Sequence, residues 1–365
     1  RVGLNLVALR DQKGTGIEVF SRNILGALRV SPEDSLLIAL RSRTNTIEAL
    51  GKDFFTANDN VSVSRWYVSR TALRVPTEML LMAIRMFAQD VVLSVNNFGP
   101  IFGRYRQRRI VVIHDIWFLE PNYNGSVVKR ILFSFLLKTQ LKFTHHVITV
   151  SDFSRREIVK HLGFESKRIT VVQNCLVREK LATENCGRQT GRWIDSREEV
   201  RQKTFLLIGS DRPNKNILRA VSGYCQYVDG WEDSPSLVIV GDYSNKFIEV
   251  LTNDVPSHVV NRVVVRGFVP VLEYRSLMRQ ASGVVFPSLY EGFGIPVLEA
   301  ISLGKPILIT RGSVCEEIAG PLGIAVDTTD VNELASGYEQ IKELMDAAEQ
   351  KDVDDAMSDD EEDDD

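Results

Sequence analysis

Short runs of Val, Ile and Leu alternate along the chain with stretches whose apolar positions recur every three or four residues. The runs at 2–8, 35–40, 61–68, 91–95, 110–113, 147–150 and 169–172 predict strands, as do those at 205–208, 237–240, 263–265, 284–286, 307–309 and 324–326. Ile17, Phe20, Ile24, Leu25 and Leu28 share one face of a helix. Residues 77–89, rich in Leu and Met, read as a core helix and not as a binding stripe. Further helices are predicted at 126–143, from Asp152 behind the capping residue Ser151, at 217–227, at 296–303 and at 331–349. Strand 110–113 is apolar without alternation, as a parallel strand covered on both faces requires. Strand and helix alternate in both halves, so the expected class is α/β with two doubly wound parallel sheets.

A length of 365 residues suits two domains. The pattern breaks at 177–200, which is polar and has no apolar period. The predicted organisation is a first lobe at 1–176, a linker at 177–200, a second lobe at 201–330, a closing helix at 331–350 and an acidic, structureless tail at 351–365.

Charge refines this picture. The chain carries −4, but residues 352–365 hold ten acids and no base; −4 less −10 leaves +6 on the rest. The body is mildly basic. Its bases concentrate in GRYRQRR (Gly103 to Arg109) and, as Lys129, Arg130, Lys138 and Lys142, in helix 126–143. The alternatives are a solvated surface or a face for anionic lipid or a lipid-linked acceptor. No nucleic-acid motif accompanies these bases, and the excess is small, so nucleic acid is not expected as a partner. No apolar run reaches the roughly 18 residues that cross a bilayer, and the opening residues read as a strand and not a signal peptide. The four cysteines, Cys175, Cys186, Cys225 and Cys315, form no CxxC pair, which argues for reduced thiols and a cytoplasmic protein.

The stretch 284–310 carries the most chemistry. A buried strand ends at Pro287, a loop holds Gly292 and Gly294, and Pro296 opens a helix closed by Gly304. Glycines admit a ligand close to the backbone, and a helix start offers N–H groups to negative charge. Glu291 and Glu299 stand out against this apolar background. A carboxylate there accepts hydrogen bonds from hydroxyls, which suits a sugar or ribose. Taken singly, each also fits an ordinary loop acid or a helix-start acid favoured by the dipole.

The segment EGFGIPVLE, from Glu291 to Glu299, resembles the retaining glycosyltransferases of family 4, and most of residues 2–350 are similar to bacterial polysaccharide mannosyltransferases of that family. The resemblance implies the GT-B fold: two lobes facing across a cleft, the acceptor on the first and a nucleotide-diphosphate sugar on the second. It implies that Glu291 holds donor-sugar hydroxyls and that Glu299 holds the ribose. Gly292, Phe293, Gly294 and Ile295 fall in the same donor-binding loop. HDIWFLEP resembles the family's His-Asp segment, which assigns His114 to the transferred sugar. In GSDRPNKN the family's Arg-Lys-Asn becomes Asn214-Lys215-Asn216, so Lys215 is left to neutralise the diphosphate, with Arg212 as substitute for the missing arginine. Gly14, Thr15 and Gly16, between the first strand and first helix, and Ser151, in a Ser-Asp-x-Ser segment, match positions lining the cleft.

The implied activity is transfer of a hexose, mannose from GDP-mannose, to a saccharide or polyprenyl-linked acceptor, with no cofactor and no metal. Asp352-Val353-Asp354 imitates a metal-binding Asp-x-Asp, but so acidic a stretch produces that match by chance. Peripheral contact with the inner face of an anionic membrane is the corresponding location. The alternative is a sugar-nucleotide-binding or scaffolding subunit without turnover, which the altered Arg-Lys position allows.

Overall fold

Two parallel sheets, each with helices between its strands, make up the described parts of the chain. The structure, a computed structural model, describes residues 1–6, 16–28, 31, 33–41, 60–66, 75–120, 126–176, 203–229 and 234–362. Gly14, Thr15 and the predicted linker 177–200 lie outside these residues. The chain divides into two compact units, Arg1–Val177 and Arg178–Asp365.

In the first unit the strands are β1 (Val2–Asn5), β2 (Leu36–Arg41), β3 (Val61–Trp66), β4 (Val91–Ser94), β5 (Arg108–Ile113), β6 (His146–Thr149) and β7 (Ile169–Val171). They run in the order β3-β2-β1-β4-β5-β6-β7, all parallel. Its helices are α1 (Gly16–Ala27), α2 (Met82–Arg85, preceded by a π-helical turn Thr77–Leu81), α3 (Val127–Lys142) and α4 (Asp152–Leu162). Met79 ahead of α2, Leu137 and Leu141 of α3 and Ile158 of α4 lie on one buried cluster with Val111, Ile113, Val147 and Ile169. Residues 77–89 are core on one side only: Met79, Met82 and Met86 are buried, whereas Leu80, Leu81, Ile84 and Phe87 face solvent. Composition alone cannot separate the two faces of a helix whose residues are nearly all apolar.

The second unit has β8 (Thr204–Ser210), β9 (Ser236–Asp242), β10 (Val263–Gly267), β11 (Gly283–Phe286), β12 (Ile307–Thr310) and β13 (Gly323–Val326), in the order β10-β9-β8-β11-β12-β13. Its helices are α5 (Ile217–Val228), α6 (Asn245–Asp254), α7 (Val271–Gln280), α8 (Ile295–Ser302), α9 (Val314–Ala319) and α10 (Val331–Glu362). β11 and β12 are buried along their whole length. Phe205, Tyr224, Tyr227 and Tyr338 gather ring against ring, with Phe205 and Tyr338 centroids 5.3 Å apart. Two of these buried hydroxyls find backbone acceptors, Tyr224 on Pro235 O at 2.7 Å and Tyr338 on Ala220 O at 3.1 Å, so the aromatic core leaves neither donor stranded. α10 lies tight on α5 because Gly223 has no side chain: a Cβ there would come within 2.5 Å of Leu334 Cβ.

The end of α10 differs from expectation. The backbone stays helical to Glu362, past 350, where a structureless tail was predicted. No proline or glycine follows Gly337 within the helix, so no such breaker ends it before Glu362.

Candidate active site

Both sheets reverse their strand order beside the first strand, between β1 and β4 in one unit and between β8 and β11 in the other. Ligands of doubly wound sheets bind beyond the carboxyl ends of the strands at such points. In the second unit, the two segments leaving β8 and β11 bond to each other. Leu289 N donates to Asn214 O at 2.8 Å, and Asn214 Nδ2 donates to Tyr290 O at 3.2 Å.

The segment after β8 is a 3-10 turn, Pro213–Lys215, which passes into α5 through Asn216 at φ 57°. Asparagine tolerates that left-handed conformation better than most residues, and Asn216 is held by donating to Thr328 O at 2.6 Å. Lys215 is thereby aimed inward. Its Nζ bonds Glu291 Oε1 and stands 5.3 Å from the centroid of the Phe286 ring. Both side chains of the pair are mostly buried. Arg212 is exposed, and its carbonyl accepts from Lys215 N at 2.9 Å.

The segment after β11 carries the glycine loop. Gly294 sits at φ 93° and ψ 60° as the residue before α8, so this position calls for glycine. A Cβ there would also meet Cys315 Sγ at 3.3 Å and Val297 Cγ2 at 3.4 Å. Cys315 is fully buried, and burial pushes its thiol up to about 12, which makes it a packing residue and not a nucleophile. Val297 and Leu298 are the first residues of α8 to donate back, to Gly294 O, so the N–H groups of Gly294 and Ile295 precede the helix's own bonding. Phe293 is buried, so from Gly292 to Ile295 the polar groups are those of the backbone.

Glu299 lies one turn into α8. Tyr274 of α7 donates its hydroxyl to Glu299 Oε2 at 2.7 Å. Burial pushes the Glu299 carboxyl up, while the Tyr274 hydrogen bond and the charge of Arg275 pull it back down. Tyr274 itself is held well above the ordinary phenol range by burial and by that carboxylate. Sequence reasoning missed Tyr274: nothing in its surroundings resembles a motif, and its partner lies 25 residues away.

In the first unit His114 stands just beyond β5 and is almost wholly buried. Its Nε2 lies 2.9 Å from Val95 O. A carbonyl only accepts, so Nε2 carries the proton and Nδ1 keeps a lone pair. Burial lowers its pKa to about 4, so the ring is neutral at pH 7. Phe20 of α1 meets the ring edge-on with centroids 5.1 Å apart. His114 N donates to Asn97 Oδ1 at 3.2 Å, and Ser154 Oγ donates to His114 O at 3.3 Å. Ser151 caps α4, accepting from Ser154 N at 3.0 Å, and thereby supports the same corner. Gly16 is the exposed first residue of α1.

The tertiary structure also assembles Glu120 with Glu157 and His161 of α4, three residues whose ligand atoms lie within 4.8 Å of one another. His161 Nε2 stands 3.1 Å from Glu157 Oε2, and Lys160 lies 3.5 Å from Glu157. Such a grouping is invisible in sequence because Glu120 comes from a different segment. Among the described residues no helix is long and apolar enough to cross a membrane.

Two doubly wound sheets, each with polar residues collected beyond its order reversal, define the GT-B class of glycosyltransferase fold. The model "Glycosyltransferase Family 4" matches residues 15–180, and the model "Glycosyl transferases group 1" matches residues 202–344. The chain belongs to this glycosyltransferase family. It is 26% identical over 346 residues to the O-antigen chain mannosyltransferase RfbU of Salmonella typhimurium, covering 92% of this chain and 90% of that protein. It is 22% identical over 239 residues, 63% of this chain and 60% of the relative, to the N,N'-diacetylbacillosaminyl-diphospho-undecaprenol alpha-1,3-N-acetylgalactosaminyltransferase of Campylobacter jejuni. Anabaena HepE in complex with UDP shares the fold, with a TM-score of 0.65 at 17% identity over 94% of this chain and 89% of that one.

Proposed function

We propose that the protein is a retaining mannosyltransferase, moving mannose from GDP-mannose to a saccharide carried on a polyprenyl lipid. The observation that carries this reading is the Lys215–Glu291 pair, set at the carboxyl ends of β8 and β11 beside the free start of α8. One partner suits a diphosphate and the other suits sugar hydroxyls. RfbU, by its name, transfers mannose in an O-antigen chain, which supports the sugar. The Campylobacter relative, by its name, acts on a diphospho-undecaprenol, which supports the lipid carrier.

In this reading the bond from the anomeric carbon to the diphosphate oxygen breaks, and the nucleotide leaves with the electron pair. The acceptor hydroxyl forms the new bond on the same face and passes its proton to the departing phosphate oxygen. Lys215 offsets the charge on the leaving group, helped by the N–H groups at Gly294 and Ile295, with Arg212 in a lesser, solvent-side role. Glu291 orients the sugar as it gains oxocarbenium character. His114, neutral, accepts a sugar hydroxyl at Nδ1, and Glu299, aligned by Tyr274, takes the ribose. The Gly14-Thr15-Gly16 loop and the corner capped by Ser151 serve the acceptor. Lys215 occupies the charge-neutralising role that a divalent ion fills elsewhere, so turnover is expected without metal. The protein works at the inner face of an anionic membrane, where the Arg104–Arg109 loop helps to find the lipid.

Glu291→Gln and Glu299→Gln test the assignment, because the two should fail differently. Losing a contact that tightens in the transition state lowers kcat and kcat/KM together, and a charged hydrogen bond of this kind is worth roughly 1.5–3 kcal/mol. That is expected for Glu291. Losing uniform binding raises the donor KM, as expected for Glu299. Unaltered donor kinetics in both folded variants would refute the site.

A further inference from the structure

We infer that Tyr274 limits the ribose grip to a single hydroxyl: by holding Oε2 of Glu299 it leaves Oε1 to the nucleotide, so one of the two ribose hydroxyls is recognised and the other is not. This deepens the donor-site reading above and rests on its placing the ribose at Glu299.

A free carboxylate grips a vicinal diol with one hydroxyl on each oxygen. Glu299 is not free in this sense. The Tyr274 hydroxyl donates to Oε2 at 2.7 Å, and among the described residues it is the hydrogen-bonding partner of this side chain. Arg275 acts on the carboxylate through its charge. Glu299 and Tyr274 both keep part of their surface in solvent, so a ligand can reach the carboxylate beside the phenol.

Tyr274 does not readily give way. Its backbone N–H donates to Pro270 O at 2.9 Å, which fixes it in the first turn of α7. Burial and the neighbouring carboxylate hold its hydroxyl well above the ordinary phenol range, so it keeps its proton and stays a donor to Oε2. An oxygen that already accepts one charge-assisted bond offers less to a second donor, so a ribose hydroxyl gains more at Oε1. The phenol oxygen is neutral and replaces the lost acceptor only weakly. Tyr274 is thus a positioning residue: it acts on the nucleotide through Glu299 and decides how many hydroxyls that carboxylate reads.

The test is calorimetric titration of the full chain with GDP, 2′-deoxy-GDP and 3′-deoxy-GDP. The proteins are the wild type, Tyr274→Phe and Glu299→Gln, with a melting curve for each variant. In the wild type, one deoxy analogue should bind about tenfold or more weaker than GDP, and the other within about threefold of it. Tyr274→Phe keeps the ring and frees Oε2 for the second hydroxyl, so both analogues should then lose about tenfold relative to GDP. A merely structural role for Tyr274 would weaken all three nucleotides alike and leave their ratios unchanged, which overturns the inference. Equal penalties for the two analogues in the wild type overturn it as well, and that comparison needs no variant. Failure of the donor-site reading looks different: GDP binding is then indifferent to Glu299→Gln, and the inference falls with that reading.

Discussion

His114 makes the stability of the first unit depend on pH in a way that can be worked out from its surroundings. Its folded pKa is about 4, depressed by burial from 6.5. Between those values the unfolded chain binds the proton and the folded one does not, so stability falls as pH falls. The effect is absent above about pH 6.5 and complete below about pH 4. Going from pH 7 to pH 5 the linkage costs ~2 kcal/mol for this one group. His145, also lowered by burial and by Arg109, and Glu120, raised by burial and by Glu157, titrate in the same unit, so the wild-type slope alone does not isolate His114. His114→Gln does isolate it: the amide can still donate to Val95 O, but it does not titrate. Urea unfolding of both proteins at pH 7 and pH 5 gives the comparison. The wild type should lose ~2 kcal/mol more than the variant. Equal losses in the two proteins would refute the claim that His114 is buried and neutral, and with it the lone pair at Nδ1 offered to the sugar.

Gly294→Ala should destabilise the second unit by about 1–3 kcal/mol, because alanine is strained at φ 93° and its Cβ presses on Cys315; an unchanged melting temperature would sink that reading of the loop. Transfer should survive exhaustive EDTA treatment, since Lys215 supplies the positive charge at the diphosphate; full loss restored by Mn²⁺ or Mg²⁺ would overturn this.

Much of this protein is written locally. The strand at 307–309 is legible because a parallel strand buried on both faces must be apolar throughout, and the edge strand at 61–66 through its alternation of Val and Ser. Glu291, Gly294 and Glu299 fall in one strand-loop-helix segment, so their spacing is set locally, whereas Lys215 lies in the segment after β8. α6, α7 and α9 escaped notice: α7 mixes Val271, Leu272, Leu277 and Met278 with Glu273, Arg275, Ser276, Arg279 and Gln280, and its burial is confined to Met278. Its contribution, the Tyr274 hydroxyl on Glu299, exists only because the fold brings this residue of α7 to α8.

The tertiary structure decided which charges meet. Lys215 and Glu291 are 76 residues apart, and they pair because β8 and β11 are neighbours at the point where strand order reverses. It also decided which face of an all-apolar helix is core: Met82 and Ile84 look alike in sequence, yet one is buried and the other lies open. Local chemistry determines which residues form strands, helices and turns. Pairings across the sheet, and the choice of buried face, depend on long-range packing that no single segment contains.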